Sequence, residues 1–176
     1  DWMNFIDTLE NNSHITITGG EPLLFKDFEK IFLHASKRHS INIICNGTFL
    51  SKNFADLFLS TKNFMALSIS VDTVGNLNRD VKPEQYKKMK EALGYFSQLR
   101  NKLNHNAVID TKSTVIDETA KDLFEIYIHC KEDLKSDTHS FQFLKGSPIQ
   151  HADKEFQYEK IFEEPTPEVY KNIKDI

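Results

Sequence analysis

The sequence predicts an α/β protein built on a parallel sheet. Two observations carry that prediction. Short β-like runs alternate strictly with segments of helical periodicity along the chain. The β-like runs lead into polar exits, several of them holding glycine, as βα connections require. The 176 residues are enough for one domain with a real core. Apolar content is only 39%, but 14 phenylalanines supply bulky core material.

The elements follow in order. Trp2, Phe5, Ile6 and Leu9 recur at i, i+3, i+4 and i+7, so the chain opens inside a helix. Residues 14–18 (HITIT) alternate as a strand. In 26–38, Phe28, Ile31, Phe32 and Ala35 share one helical face. A second strand is expected at 41–45 and a short helix over 51–60, with Phe54, Leu57 and Phe58 inward. The third strand is 65–71. Pro83 suits a first helical position, where its missing N–H costs nothing. The helix it opens runs through 100, with Tyr86, Met89, Leu93 and Phe96 on its face. A somewhat polar strand spans 107–115, a helix 119–130 with His129 marking its end, and a fifth strand 140–144. Residues 73–82 read as the main loop. An irregular stretch then leads to a terminal helix with Thr166 as N-cap, Pro167 next, and Val169, Ile173 and Ile176 inward.

This order divides the chain into a domain over 1–150 and an extension over 151–176. A helix in such folds normally follows a strand, so a strand and its exit loop are expected upstream of Asp1. Five βα units are too few for an eightfold barrel of ~250 residues. A partial barrel or an open sheet remains.

Charged residues make up 27% and the net charge is −4, which argues against a nucleic-acid partner recruited by bulk charge. No apolar run reaches the ~18 residues of a membrane helix, and no signal-peptide pattern opens the chain, so a cytoplasmic protein is expected. Cys45 and Cys130 stand alone, without a C-x-x-C pair, and read as buried, reduced thiols. The seven histidines show no metal-ligand spacing.

Ligands of parallel α/β folds bind beyond the carboxyl ends of the strands. Gly19-Gly20-Glu21-Pro22 follows the first strand and Asn46-Gly47-Thr48 the second. Ser70 and Asp72 end the third, with Arg79 shortly after, and Lys145-Gly146 follows the fifth. Turn chemistry alone accounts for Gly47 and Gly146. Consecutive glycines beside a carboxylate, however, expose bare backbone next to a fixed negative charge. Glu21 would repel a phosphate, so the group received here is an amine rather than an anion. Lys112 and Thr114, near the end of the fourth strand, are weaker candidates for the mouth.

The motifs in this order resemble the radical S-adenosylmethionine enzymes. ITGGEPLLFKDFEKIF is similar to the family's second strand, Gly-Gly-Glu-Pro turn and second helix. IICNGTFLS is similar to its third strand and Thr-Asn-Gly-Thr turn, with Cys45 where Thr is usual. LSISVD resembles the end of its fourth strand, and FQFLKGSPI its sixth. The resemblance covers about residues 1–150. It implies a partial (β/α)6 TIM-like barrel of mostly parallel strands that holds S-adenosylmethionine at its mouth. The Gly19 and Gly20 carbonyls with Glu21 would receive the methionyl amine, and Pro22 would fix the turn. Ser70 would hold the carboxylate or ribose, with Arg79 as a carboxylate partner. Asn46 and Asp72 would line the mouth, and main-chain groups near Phe143 and Leu144 would meet the adenine.

The resemblance further implies a 4Fe-4S cluster, a 5′-deoxyadenosyl radical that abstracts hydrogen from a small-molecule or peptide/protein substrate, and an electron donor such as a flavodoxin or ferredoxin. Ser-Val-Asp on the third strand, in place of the Asp-x-Lys of glycyl-radical activating enzymes, resembles the sulfatase-maturing and peptide-modifying branch. One feature departs from the family: its Cys-x3-Cys-x2-Cys cluster motif is absent. The missing motif belongs where the upstream strand is missing, so the cluster ligands are expected before Asp1 and the chain alone is expected to be inactive. Two other readings stay open. One is a non-catalytic barrel that binds a partner or nucleoside; the other is an aldolase-like barrel with Lys112 as Schiff-base nucleophile.

Overall fold

A computed structural model describes residues 2–72, 74, 82–115 and 122–143. The apolar periodicity of the chain becomes α1 (Trp2–Asp7), β1 (His14–Ile17), a 3₁₀ turn (Pro22–Leu24), α2 (Phe28–Ala35), β2 (Ser40–Cys45), α3 (Lys52–Leu59), β3 (Phe64–Ser70), α4 (Pro83–Leu103), β4 (Val108–Val115), α5 (Leu123–Ile128) and β5 (Thr138–Phe143). Leu144, the loop residues 75–81 and the tail with its expected terminal helix lie outside the described residues.

The five strands pair in the order β1-β2-β3-β4-β5, and every pairing is parallel. Each strand lies beside the next in sequence. Crossovers of one hand then place every helix on one face, the winding of a TIM-like barrel rather than of a doubly wound sheet. The fold is therefore α/β with the topology of a partial TIM-like barrel.

Register separates the two faces of the sheet. Ile41, Ile43, Cys45, Leu67, Ile69 and Ile109 point toward the helices and are buried. Against them packs an aromatic cluster in which Phe58 lies 5.3 Å from Phe32 and 4.8 Å from Phe64 between ring centroids. Phe28, Phe54 and Phe96 extend it across α2, α3 and α4. Burial of rings of this size, with edge and offset contacts, supplies the main apolar stabilisation of the helix layer.

Boundaries move where tertiary partners intervene. α4 continues three residues past Arg100 and ends at Asn104 in the left-handed conformation, φ 51°. α5 ends at Ile128 with His129 as its cap, as expected, but the chain does not leave the helix there: the backbone widens into a π turn over His129–Asp133. The Leu134 N–H reaches the His129 carbonyl at 3.2 Å, and the His129 ring shares hydrogen bonds with Tyr86 of α4 and with Asp133. Lys90 of α4 pairs with the same Asp133. These bonds across α4 hold the chain helical for one more turn. β5 likewise begins two residues early, because Asp137 is held by Arg100 and by the Ile109 N–H.

Under β4 and β5 the helix-facing side turns polar. The Thr111 hydroxyl contacts Ser136 Oγ at 2.9 Å and His139 Nδ1 at 2.8 Å. Burial depresses the His139 pKa below its ordinary 6.5; the Lys131 charge adds to this and Asp110 opposes it. The unfolded state therefore binds the proton more readily. The contribution of neutral His139 to stability is fully present above about pH 6.5 and is lost as pH falls through the depressed value. Urea unfolding at pH 7 and pH 5 should show the wild type losing stability on acidification, with a smaller loss in His139→Gln.

Candidate functional site

The exits of β1, β2 and β3 carry the polar residues singled out by sequence, and one side chain ties two of them together. Glu21 stands in extended conformation before the 3₁₀ turn, where Pro22 occupies the first helical position. Its Oε1 accepts the Leu23 N–H at 3.0 Å and so caps that turn. Its Oε2 accepts the Asn46 N–H at 2.8 Å, across to the loop after β2. A carboxylate has about four acceptor positions, so two accepted bonds leave Glu21 capacity for a donor from a ligand.

Gly19 has φ +147° and precedes Gly20; a Cβ at either position would meet nothing within 4 Å. The space over this backbone is open. Among the described residues, none donates to the Gly19 or Gly20 carbonyl. Open carbonyls beside a fixed carboxylate suit an ammonium group.

Asn46 works through its own loop. Its Oδ1 accepts the Thr48 N–H at 2.9 Å and the Thr48 hydroxyl at 2.6 Å, an Asx turn. Gly47 between them has φ +77°, and a Cβ there would stand 2.9 Å from Met89 Sδ and 3.2 Å from Ile69 Cγ2. Glycine at this position is thus required by both backbone and packing.

Ser70 ends β3 half-buried, opposite Lys112 of β4. Asp72 accepts the Thr114 N–H at 2.7 Å through Oδ1, joining the exit of β3 to β4. The backbone of Phe143 ends β5 opposite Val115. Arg79 and Leu144 lie outside the described residues, as do Lys145 and Gly146. The structure therefore brings Gly19, Gly20, Glu21 and Asn46 together. It sets Ser70 and Asp72 at the exit of the neighbouring strand.

The thiols behave otherwise. Cys45 points to the helix side, and burial, then the Glu21 charge, push it up to about 12. Cys130 sits in the π turn, where burial pushes it up to about 11, with the nearby Thr111 hydroxyl opposing the shift. Iron–sulfur clusters need several thiolates converging on one point. These two are protonated, buried and on separate elements. Among the described residues no group of three or more His, Cys, Asp or Glu is placed to hold a metal ion. The residues of this chain do not fit a cluster, whereas the glycine-carboxylate corner suits an ammonium group.

Sequence reasoning left out a second polar set. Ser68, Asp110, Thr138 and Ser140 share the concave face of the sheet with Ser70 and Lys112. The signal was present as period-2 polarity in β4, where Asp110, Lys112 and Thr114 alternate with buried positions.

Comparison with known families matches residues 3–125 to the Radical SAM superfamily. The match spans α1 into α5 and includes the Gly-Gly-Glu-Pro corner, and the chain belongs to that superfamily. No curated protein matches the chain. Among the described residues no helix is long and apolar enough to cross a membrane.

Two measurements check this description. Gly47→Ala should lose about 1–3 kcal/mol of stability in urea, from backbone strain and the contact with Met89. Cys45 and Cys130 should resist iodoacetamide at pH 8 until the protein is unfolded; rapid labelling of the folded chain would contradict their burial.

Proposed function

We propose that this chain is the S-adenosylmethionine-binding core of a radical enzyme. The observation that carries the reading is the Glu21 clamp, with its bond to Asn46 N–H at 2.8 Å, beside the open Gly19–Gly20 backbone. The methionyl ammonium would donate to the two glycine carbonyls and to the unused positions on Glu21. Pro22 holds the turn in place. Ser70 borders the carboxylate or ribose, with Arg79 as an ionic partner. Asn46 and Asp72 act by fixing the loops that form the mouth, and main-chain groups near Phe143 and Leu144 would meet the adenine. Because Glu21 is already bonded to both loops, it would need little reorganisation on binding.

In this superfamily S-adenosylmethionine and a reduced 4Fe-4S cluster together supply a 5′-deoxyadenosyl radical. In our reading the cluster is held by cysteines outside these 176 residues, and the chain contributes binding and orientation. The substrate is a small molecule or a peptide, and Ser-Val-Asp at the end of β3 favours the sulfatase-maturing and peptide-modifying branch. A flavodoxin- or ferredoxin-like protein would deliver the electron, in the cytoplasm.

Calorimetric titration tests the clamp. S-adenosylmethionine should bind the wild type, and Glu21→Ala should weaken it by about tenfold or more, as loss of a charge-assisted bond predicts. 5′-Methylthioadenosine, which lacks the amino-acid end, should bind weakly to both. Equal affinity of wild type and Glu21→Ala for S-adenosylmethionine would refute this assignment.

A further inference from the structure

The concave face of the sheet holds a polar set that the reading above leaves mostly unused. Inward positions of TIM barrels are filled mainly by branched apolar side chains. Here register places Ile44, Ser68, Asp110 and Thr138 in one row, and Ser70, Lys112 and Ser140 in the next row toward the strand exits. Ile44 is the single large apolar side chain among the seven.

The first row is internally satisfied. Asp110 Oδ1 accepts the Thr138 hydroxyl at 2.8 Å, and Oδ2 accepts the Ser68 hydroxyl at 3.0 Å. Lys112 Nζ stands 3.6 Å from the same Oδ2, an ion pair without a direct hydrogen bond. The second row is not satisfied. Among the described residues, neither the Ser70 nor the Ser140 hydroxyl has a partner, and Lys112 Nζ makes no hydrogen bond. All three side chains are half-buried. Neighbouring strands lie about 4.8 Å apart, so a hydroxyl, an ammonium and a hydroxyl are presented side by side.

We propose that Lys112 and Ser140 bind the carboxylate of a second ligand, the substrate, with Ser70 standing between this pair and the S-adenosylmethionine position assigned to it above. Available donors concentrated at one place call for an oxyanion. Asp110 neutralises the lysine charge, which favours a carboxylate monoanion over a phosphate dianion, and its bonds to Ser68 and Thr138 make it a positioning residue for Lys112. The naming of this ligand as the second one rests on the S-adenosylmethionine reading. The methionyl carboxylate shares a carbon with the amine placed at the exit of β1. Lys112 is on β4, three strand spacings or about 14 Å away. A lysine side chain covers less than half of that distance, about 6 Å by the bond lengths of a saturated chain, and Ser140 lies one strand further still.

The test follows backbone amide signals of the isotopically labelled protein by NMR. The probes are glutarate, its uncharged analogue glutaramide and, separately, S-adenosylmethionine. Glutarate should shift the Lys112 and Ser140 signals saturably, and glutaramide should not. Lys112→Gln should weaken glutarate by about tenfold or more, and Lys112→Arg should retain part of the affinity. S-adenosylmethionine affinity should be unchanged in Lys112→Gln. If Lys112→Gln fails to fold, Ser140→Ala, a small change at a half-buried site, takes its place and should weaken glutarate severalfold. Three results overturn the proposal: glutarate and glutaramide acting alike, undiminished glutarate binding in the variants, or loss of S-adenosylmethionine and glutarate together, which would assign Lys112 to the methionyl carboxylate. Failure of the wild type to bind S-adenosylmethionine would sink only the earlier reading, since the glutarate response is read independently.

Discussion

The Glu21 carboxylate is the constraint on which the site depends. Two strand exits in a parallel sheet have no backbone ladder to join them once the strands end. Glu21 replaces that ladder with a charge-assisted bond to Asn46 N–H, while its other oxygen caps the 3₁₀ turn. The Asx turn at Asn46, the left-handed Gly47 and the packing of Met89 beneath it then fix the second loop. Asp72 makes the same kind of bond one strand further along, to Thr114 N–H. Acidic side chains that accept neighbouring backbone N–H groups thus stitch the mouth of the sheet from β1 to β2 and from β3 to β4.

The two faces of the sheet divide the work. The helix side is dominated by buried Phe, Ile and Leu, which anchor the strands and cannot respond to a ligand. The concave side carries hydroxyls, Asp110 and Lys112, which would be costly to bury without partners and are partly supplied with them. A rigid apolar layer behind a polar face is the arrangement a binding site needs, because the scaffold holds polar groups to fixed positions.

The mismatch with a cluster has the same physical basis. Cys45 belongs to the apolar layer, where burial keeps its thiol protonated. Cys130 is buried within the π turn. Neither can become a ligand without dismantling the layer that holds the strands.

Much of the fold was legible in sequence. Period-2 or short apolar runs and 3.6-residue periodicity marked every described strand and α-helix, because burial imposes those patterns locally. The Gly-Gly-Glu-Pro corner was also legible, since a glycine pair beside an acid is local chemistry. Other features needed the tertiary structure. The order β1-β2-β3-β4-β5 decides that the winding is barrel-like rather than doubly wound, and strand neighbours are not encoded in any one segment. The π turn at His129 depends on Tyr86 and Lys90, more than thirty residues away. The partnership of Glu21 with Asn46, and of Asp110 with Ser68 and Thr138, likewise joins residues distant in sequence. The sequence alone determined the approximate extents of the described strands and α-helices and singled out the glycine-carboxylate corner as a candidate site. Tertiary structure decided which of those residues meet, because parallel pairing aligns the far ends of separate strands through register alone.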